Sequence, residues 1–221
     1  SKGIGKALAE KLLDLGNIVI GTSRTLDDLK KISERFPRNF YPYSLELSET
    51  DQIDKLIDFM DETFEKVDVL YNNAGILGDI TNLEDYNFEV WKKVLDINLN
   101  NQFYLTQKIL KSLRKSNKGS IVNVSSSVGR FPRETWGAYS VSKAGMEAMT
   151  DILSQELKNL NIIVNSINPG GTATKMRKEA YPDEDQSQLP TPSDILPIFL
   201  YLASDDCLLY TSDAADELTS G

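Results

Sequence analysis

Across 221 residues the chain carries 33 acidic against 24 basic side chains and no histidine, a formal net charge of −9, with 40% of its residues apolar. That balance disfavours nucleic-acid and anionic-membrane partners, which need basic surfaces; the lack of His excludes His-based triads, and a single Cys is too few for a thiolate zinc site or a disulfide framework. No apolar run approaches the ~20 residues of a bilayer span, so composition describes a cytoplasmic protein with apolar residues enough for one core.

In chain order, Ser1-Lys2-Gly3-Ile4-Gly5-Lys6 is a glycine turn running into the apolar spacing Ile4, Leu8, Leu12, Leu15 of a helix near 3–15 that stops at Gly16. Such a turn lets backbone N–H groups and a helix N-terminus approach a pyrophosphate. A strand follows near 17–22, then a helix near 25–35, a strand near 40–45, a helix near 49–64 and a strand near 67–71. The second half reads as one long helix over 87–115, a strand near 119–125, a helix over 136–159, a strand near 161–167 and a helix over 192–204. Strands alternating with helices predict an α/β fold, a doubly wound parallel sheet of Rossmann-like type. No linker, repeat or low-complexity tract divides the chain, so residues 1–206 read as a single domain. Ligands of such sheets bind beyond the carboxyl ends of the strands, where the motifs below all fall.

The chemistry-bearing pattern is Gly137-Ala138-Tyr139-Ser140-Val141-Ser142-Lys143 with Ser126 upstream in Ser125-Ser126-Ser127-Val128-Gly129. Tyr139 and Lys143 lie one helical turn apart on one face. A cation beside a phenol favours the phenolate, so Lys143 is expected to lower the Tyr139 pKa. A serine hydroxyl can then hold a substrate oxygen as charge develops on it.

Taken together these motifs resemble the short-chain dehydrogenases/reductases, over nearly everything from Ser1 to about Asp206. Gly3-Ile4-Gly5 resembles the end of that family's glycine motif, Asn72-Asn73-Ala74-Gly75 its Asn-Asn-Ala-Gly turn, and Asp96-Ile97-Asn98 the segment carrying its catalytic Asn. Ser126, Tyr139 and Lys143 match its Ser, Tyr and Lys; Ser126 is chosen over Ser125 and Ser127 because it alone precedes Gly129 by the family's Ser-x-x-Gly spacing. Asn168-Pro169-Gly170 with Thr172 and Thr174 matches the segment that closes over the nicotinamide.

The resemblance implies a hydride-transfer enzyme acting on a small-molecule carbonyl or alcohol, with Tyr139 as acid/base, Ser126 holding the substrate oxygen, and Lys143 binding the nicotinamide ribose. Asn98 would support a water chain to Lys143. Cofactor contacts would come from Lys2, Gly3, Ile4, Gly5, Asn73, Ala74, Gly75, Tyr139, Lys143, Pro169, Gly170, Thr172 and Thr174, and at the adenosine from Glu46 and Leu47, where the family usually has Asp. An acidic residue after the second strand would select NAD, whereas Arg can pair with a 2′-phosphate. Gly21-Thr22-Ser23-Arg24 contains no acid, so Ser23 and Arg24, with Lys2, resemble the NADP-preferring pattern. A non-catalytic NADP(H)-binding sensor or scaffold is the alternative class; relatives of that kind typically lose the Tyr or Lys retained here. The helices at 87–115 and 136–159 resemble those that pair in the family's dimers and tetramers, implying a homodimer or homotetramer.

The segment that would identify the substrate, Lys175 to Asp185, is short and charged. With Gly75 to Asp79, Ser127 to Arg130 and Trp136 to Tyr139, it is similar to a bacterial subgroup of YciK-type oxidoreductases. Arg130, Arg133 and Arg177 could meet an anionic substrate, and Trp136 and Tyr181 read as wall residues.

Both ends depart from the family pattern. A doubly wound domain begins with a strand and the first glycine of the turn, whereas Ser1 already lies inside the turn. The fold is therefore expected to be truncated at both ends, lacking a central partner for the strands at 17–22 and 67–71, and to fold and act poorly. Where a last strand should follow Asp206, residues 207–217 resemble the translation of a transposon-end sequencing adapter, so 207–221 is expected to be a non-native tail that includes the single Cys.

Overall fold

The computed structural model describes residues 1–207. Strands and helices alternate: α1 (Gly3–Asp14), β1 (Val19–Ser23), α2 (Asp27–Arg35), β2 (Phe40–Ser44), α3 (Thr50–Thr63), β3 (Val69–Asn72), α4 (Phe88–Leu95), α5 (Asn101–Leu113), β4 (Gly119–Val124), α6 (Ser127–Arg130), α7 (Gly137–Leu157), β5 (Ile162–Ile167), α8 (Lys175–Ala180) and α9 (Leu196–Leu202). Every strand pairing is parallel, as predicted. The sheet comes in two pieces, β1–β2 and β3–β4–β5. Among the described residues β1 pairs only with β2, and β3 only with β4. Pro42, which cannot donate to a ladder, sits in β2 at the edge of its sheet.

β4 and β5 are buried along all six residues each, as expected of parallel strands covered on both faces. Their alternation divides the core. Ile121, Ile162 and Val164 pack with Ile53, Leu56, Ile109 and Leu157 of α3, α5 and α7. Val122, Val124 and Ile163 pack with Leu8 of α1 and Leu196, Phe199 and Leu202 of α9 on the opposite face. A smaller cluster of Leu13, Leu29, Ile32 and Phe40 holds the β1–β2 piece against α1 and α2.

One prediction is corrected: residues 87–115 are two helices joined by a π-helical turn over Asp96–Asn100, in which the Asn101 N–H reaches back five residues to the Asp96 carbonyl. The predicted helix at 192–204 is likewise shorter, because Thr191 donates to the Asp194 carboxylate through both its N–H and its hydroxyl at 2.7 Å, forming a turn where the helix was expected to begin. The expected non-native tail lies outside the described residues except for Cys207. That residue is buried against the α9 side of the core, and its carbonyl accepts from Lys118 Nζ at 3.0 Å.

Candidate active site

The site is assembled from the carboxyl ends of β3, β4 and β5, with α7 standing beside them. α7 carries Tyr139 and Lys143 on its inward face, where both are buried. Ser126 follows β4 in extended conformation and opens α6. α6 lies directly against α7: a Cβ at Gly129 would sit 2.9 Å from the Lys143 carbonyl carbon, and Ser140 Oγ donates to the Val128 carbonyl at 2.6 Å. This close packing explains the Ser-x-x-Gly spacing, and it brings the Ser126 hydroxyl into hydrogen bonding with Tyr139.

Burial raises the Tyr139 phenol above its ordinary pKa, with the Ser126 hydrogen bond opposing. The expected lowering by Lys143 is not found. The ammonium stands 5.7 Å from the centroid of the Tyr139 ring and donates to the Val124 carbonyl at 2.6 Å. Burial pushes Lys143 itself down to about 8, with Glu147 opposing.

Asn98 occupies the π-helical turn and is fully buried. Its carboxamide accepts from the Ile76 N–H at 2.8 Å and donates to the Ile76 carbonyl at 2.9 Å and to Ser142 Oγ at 3.1 Å. Asn98 Oδ1 and Lys143 Nζ converge on Gly75, lying 3.3 and 3.8 Å from where its Cβ would be.

The glycine turn meets the segments predicted to hold a dinucleotide. Gly3 has φ +51°, a conformation that favours glycine, and faces the Thr174 methyl; a Cβ on Gly5 would lie 2.6 Å from Asn73 Nδ2. Ile4 of the same turn packs at the edge of the core. Ala74 is fixed by Gln102, whose side chain donates to its carbonyl. Thr172 Oγ1 donates to the Pro169 carbonyl at 2.9 Å, Gly170 has φ +66°, and Thr174 caps α8 by accepting from the Arg177 N–H at 3.2 Å. These are the close backbone approaches that a bound pyrophosphate and nicotinamide require, so the residues present fit a dinucleotide.

At the adenosine end, Glu46 turns its carboxylate back to the Ser48 N–H at 3.4 Å, and Leu47 is buried with its carbonyl accepting from Asn101. Arg24 is exposed. Ser23 and Lys2 both meet Asp28 at the start of α2, an acid whose sequence context is that of an ordinary solvated helix face.

Beside Ser126 lies a cavity of about 370 Å³ lined by Ser126, Ser127, Val128, Arg133, Trp136, Asn168, Gly170, Gly171, Arg177 and Tyr181. Its aromatic wall is Trp136, with ring centroids 5.8 Å from both Tyr139 and Tyr181. Arg177 stacks on Tyr181 at 3.9 Å and is engaged by Glu184 at 2.5 and 2.6 Å. Arg130 pairs with Glu147 at 3.3 Å. Of the three arginines considered for an anionic substrate, two thus pair with carboxylates of this chain.

Beneath the site runs a polar ladder unforeseen from sequence. Asn72 donates to Thr106 and Asn123, and Asn123 donates to Thr150, all at 2.8 to 2.9 Å and all buried. Asparagines within apolar strand runs were the available signal.

A family model described as short chain dehydrogenase matches residues 1–185. The chain belongs to the short chain dehydrogenase family. Among the curated members of that family, the Escherichia coli K12 protein called uncharacterized oxidoreductase YciK is 39% identical over 212 residues, which cover 93% of this chain and 84% of that protein. The Thermotoga maritima 3-oxoacyl-[acyl-carrier-protein] reductase FabG is 35% identical, covering 93% and 88%. Among solved structures, a short chain dehydrogenase from Shigella flexneri complexed with NADP superposes with TM-score 0.89 at 39% identity, covering 93% of this chain and 88% of that one. An Escherichia coli CFT073 short chain dehydrogenase complexed with NADPH gives the same TM-score and coverage at 38% identity. The fold, the YciK-type resemblance and the oxidoreductase class expected from the sequence are borne out.

Proposed function

We propose that this short chain dehydrogenase uses NADP(H) to interconvert a carbonyl and an alcohol, with Tyr139 as the proton-transferring group. The observation that carries the reading is the Ser126 hydroxyl hydrogen-bonded to a buried Tyr139 phenol, with the buried Lys143 ammonium 5.7 Å from its ring, all at one end of the sheet. The NADP and NADPH complexes of two neighbours support the choice of cofactor.

A bound nicotinamide would supply or take up the hydride. The chain's own residues handle the proton. In reduction the substrate oxygen sits between the Ser126 and Tyr139 hydroxyls, and the Tyr139 O–H gives its proton to that oxygen as negative charge builds there. The resulting phenolate is reprotonated from the Lys143 side, through waters held near Asn98. Lys2, Ser23 and Arg24 hold the 2′-phosphate. Gly3, Ile4 and Gly5 with Asn73, Ala74 and Gly75 take the diphosphate and nicotinamide ribose, and Pro169, Gly170, Thr172 and Thr174 close over the ring.

The substrate is a small carbonyl compound admitted past Trp136 and Tyr181. Phe103 of α5 and Val141 and Ile152 of α7 are exposed, and the last two lie three turns apart on one stripe, which supports a homodimer or homotetramer; light scattering tests it. No helix among the described residues is long and apolar enough to cross a membrane, in keeping with a cytoplasmic enzyme.

The deciding experiment follows NADPH and NADH oxidation against ketones, aldehydes and acyl-group carbonyls in wild type and Tyr139→Phe. Turnover with NADPH that falls by a factor on the order of 10²–10⁴ in the variant supports the reading. Tight NADPH binding with no turnover on any carbonyl favours a non-catalytic sensor instead.

A further inference from the structure

The Asp28 carboxylate draws three donors from three places in the chain. Lys2 Nζ of the glycine turn lies 3.4 Å from Oδ1. Ser23 Oγ, at the end of β1, and Thr25 Oγ1, in the following loop, each donate to Oδ2 at 3.2 Å. Lys2 and Ser23 are also the groups assigned to the cofactor's 2′-phosphate. One carboxylate therefore fills the hydrogen-bonding directions that a phosphate would need, and it remains partly accessible, with a side-chain exposure of 32%.

A carboxylate there does two things. It neutralises Lys2 and repels an incoming phosphate, because like charges at a shared site disfavour each other. It also offers an acceptor to a ribose 2′-hydroxyl, as acidic residues do in sites that take NAD. We propose that Asp28 is a specificity-determining residue that engages Lys2 and Ser23 of the 2′-phosphate cradle, leaving Arg24 as its other cation, and so weakens NADP(H) and narrows its advantage over NAD(H). The proposal rests on the NADP(H) reading above. The plainer role for an acid at this position is to favour the N-terminus of α2, where Asp27 and Asp28 both lie in the first turn.

Asp28→Asn separates the two roles, since the amide keeps the size and the acceptor oxygen while removing the charge. Binding of adenosine 2′,5′-bisphosphate, 5′-AMP, NADPH and NADH is measured by calorimetry on wild type, Asp28→Asn and Lys2→Met, with melting temperatures recorded for each. Asp28→Asn should tighten the bisphosphate and NADPH on the order of tenfold while 5′-AMP and NADH hold steady or weaken, and Lys2→Met should weaken the two phosphate-bearing ligands selectively. An unchanged or reduced NADPH to NADH ratio in Asp28→Asn overturns the proposal, and if that variant also melts lower, Asp28 is a helix-stabilising acid. If wild type and both variants bind each pair of ligands equally, the 2′-phosphate is not recognised at this cradle, and the NADP(H) reading fails with the proposal.

Discussion

The Asn98 carboxamide and the Ile76 peptide hydrogen-bond each other in both directions, at 2.8 and 2.9 Å. This pairing pins the turn after β3 to the π-helical turn between α4 and α5, and so sets where Gly75 lies relative to Lys143. Asn98→Ala would leave the Ile76 N–H and carbonyl without the partner they now have. An unsatisfied buried group costs about 1–3 kcal/mol, the low end applying to the half-buried Ile76 peptide, and a domain of this size loses roughly 2–4 °C per kcal/mol. The melting temperature should fall by several degrees, and cofactor affinity with it, because the displaced loop carries Ala74 and Gly75. A variant that melts like wild type would show that solvent replaces the carboxamide and that the clamp does not hold the loop.

Gly129 is the contact point of α6 and α7. A Cβ there would lie 2.9 Å from the Lys143 carbonyl carbon and 3.0 Å from its Cβ and carbonyl oxygen, none of which can swing aside as a flexible side-chain tip would. Gly129→Ala should therefore push the two elements apart, at about 1–3 kcal/mol for overpacking. Because Ser126 and Lys143 sit on those same two elements, activity should fall further than stability. Thermal melts together with turnover at a temperature well below the melt distinguish the two losses.

Lys143 gives stability a pH dependence whose sign follows from its burial. Its pKa is pushed down to about 8 from the ordinary 10.5. Between those values the unfolded chain holds a proton that the folded chain has released, so stability rises with pH. The penalty for burying the cation is full below about 8 and relieved towards 10.5, amounting to about 3 kcal/mol across the window. The difference in unfolding free energy between wild type and Lys143→Met, taken by denaturant titration at several pH values, should shift in favour of wild type as pH rises through that window. A flat difference would place the Lys143 pKa at its ordinary value.

Much of the fold was legible because its strands are short apolar runs and its helices have clean 3.6-residue spacing; Gly119–Val124 and Ile162–Ile167 are close to their predicted bounds. The break at 96–100 was not legible, since Asp96-Ile97-Asn98-Leu99-Asn100 has ordinary helical composition and the π-helical turn accompanies a contact with Ile76, some twenty residues away in sequence. Ser126, Tyr139 and Lys143 were singled out by the resemblance to the family rather than by spacing alone, and they lie together beside the carboxyl end of β4. Their charge states were not legible. Lys143 was expected to tune Tyr139, but burial dominates the shift of each group, and burial is a property of the packed core rather than of the motif. That Asp28 meets the cradle was not legible for a similar reason: it lies four residues beyond the Arg24 position searched for an acid and reaches the cradle only because α2 begins there.

The last prediction concerns pH and rate. In its proposed role, Tyr139 must be protonated to act in reduction and ionised to act in oxidation. Burial raises its pKa above the ordinary 10.0 and the Ser126 hydrogen bond partly offsets this. For the protein before it binds substrate, kcat/KM for carbonyl reduction should therefore be level through neutral pH and decline only in the alkaline range, while kcat/KM for alcohol oxidation should climb steadily over the same range. Ser126→Ala removes the opposing hydrogen bond, so the oxidation limb should move to still higher pH in addition to the lower rate expected from a lost oxyanion donor. Initial rates in both directions from about pH 6 to 10.5, a range chosen to bracket the ordinary phenol value, test this directly. An oxidation limb centred near neutrality would mean that a bound cofactor or Lys143 lowers the phenol far more than burial raises it. A limb that moves down in Ser126→Ala would remove Ser126 from contact with the reacting proton.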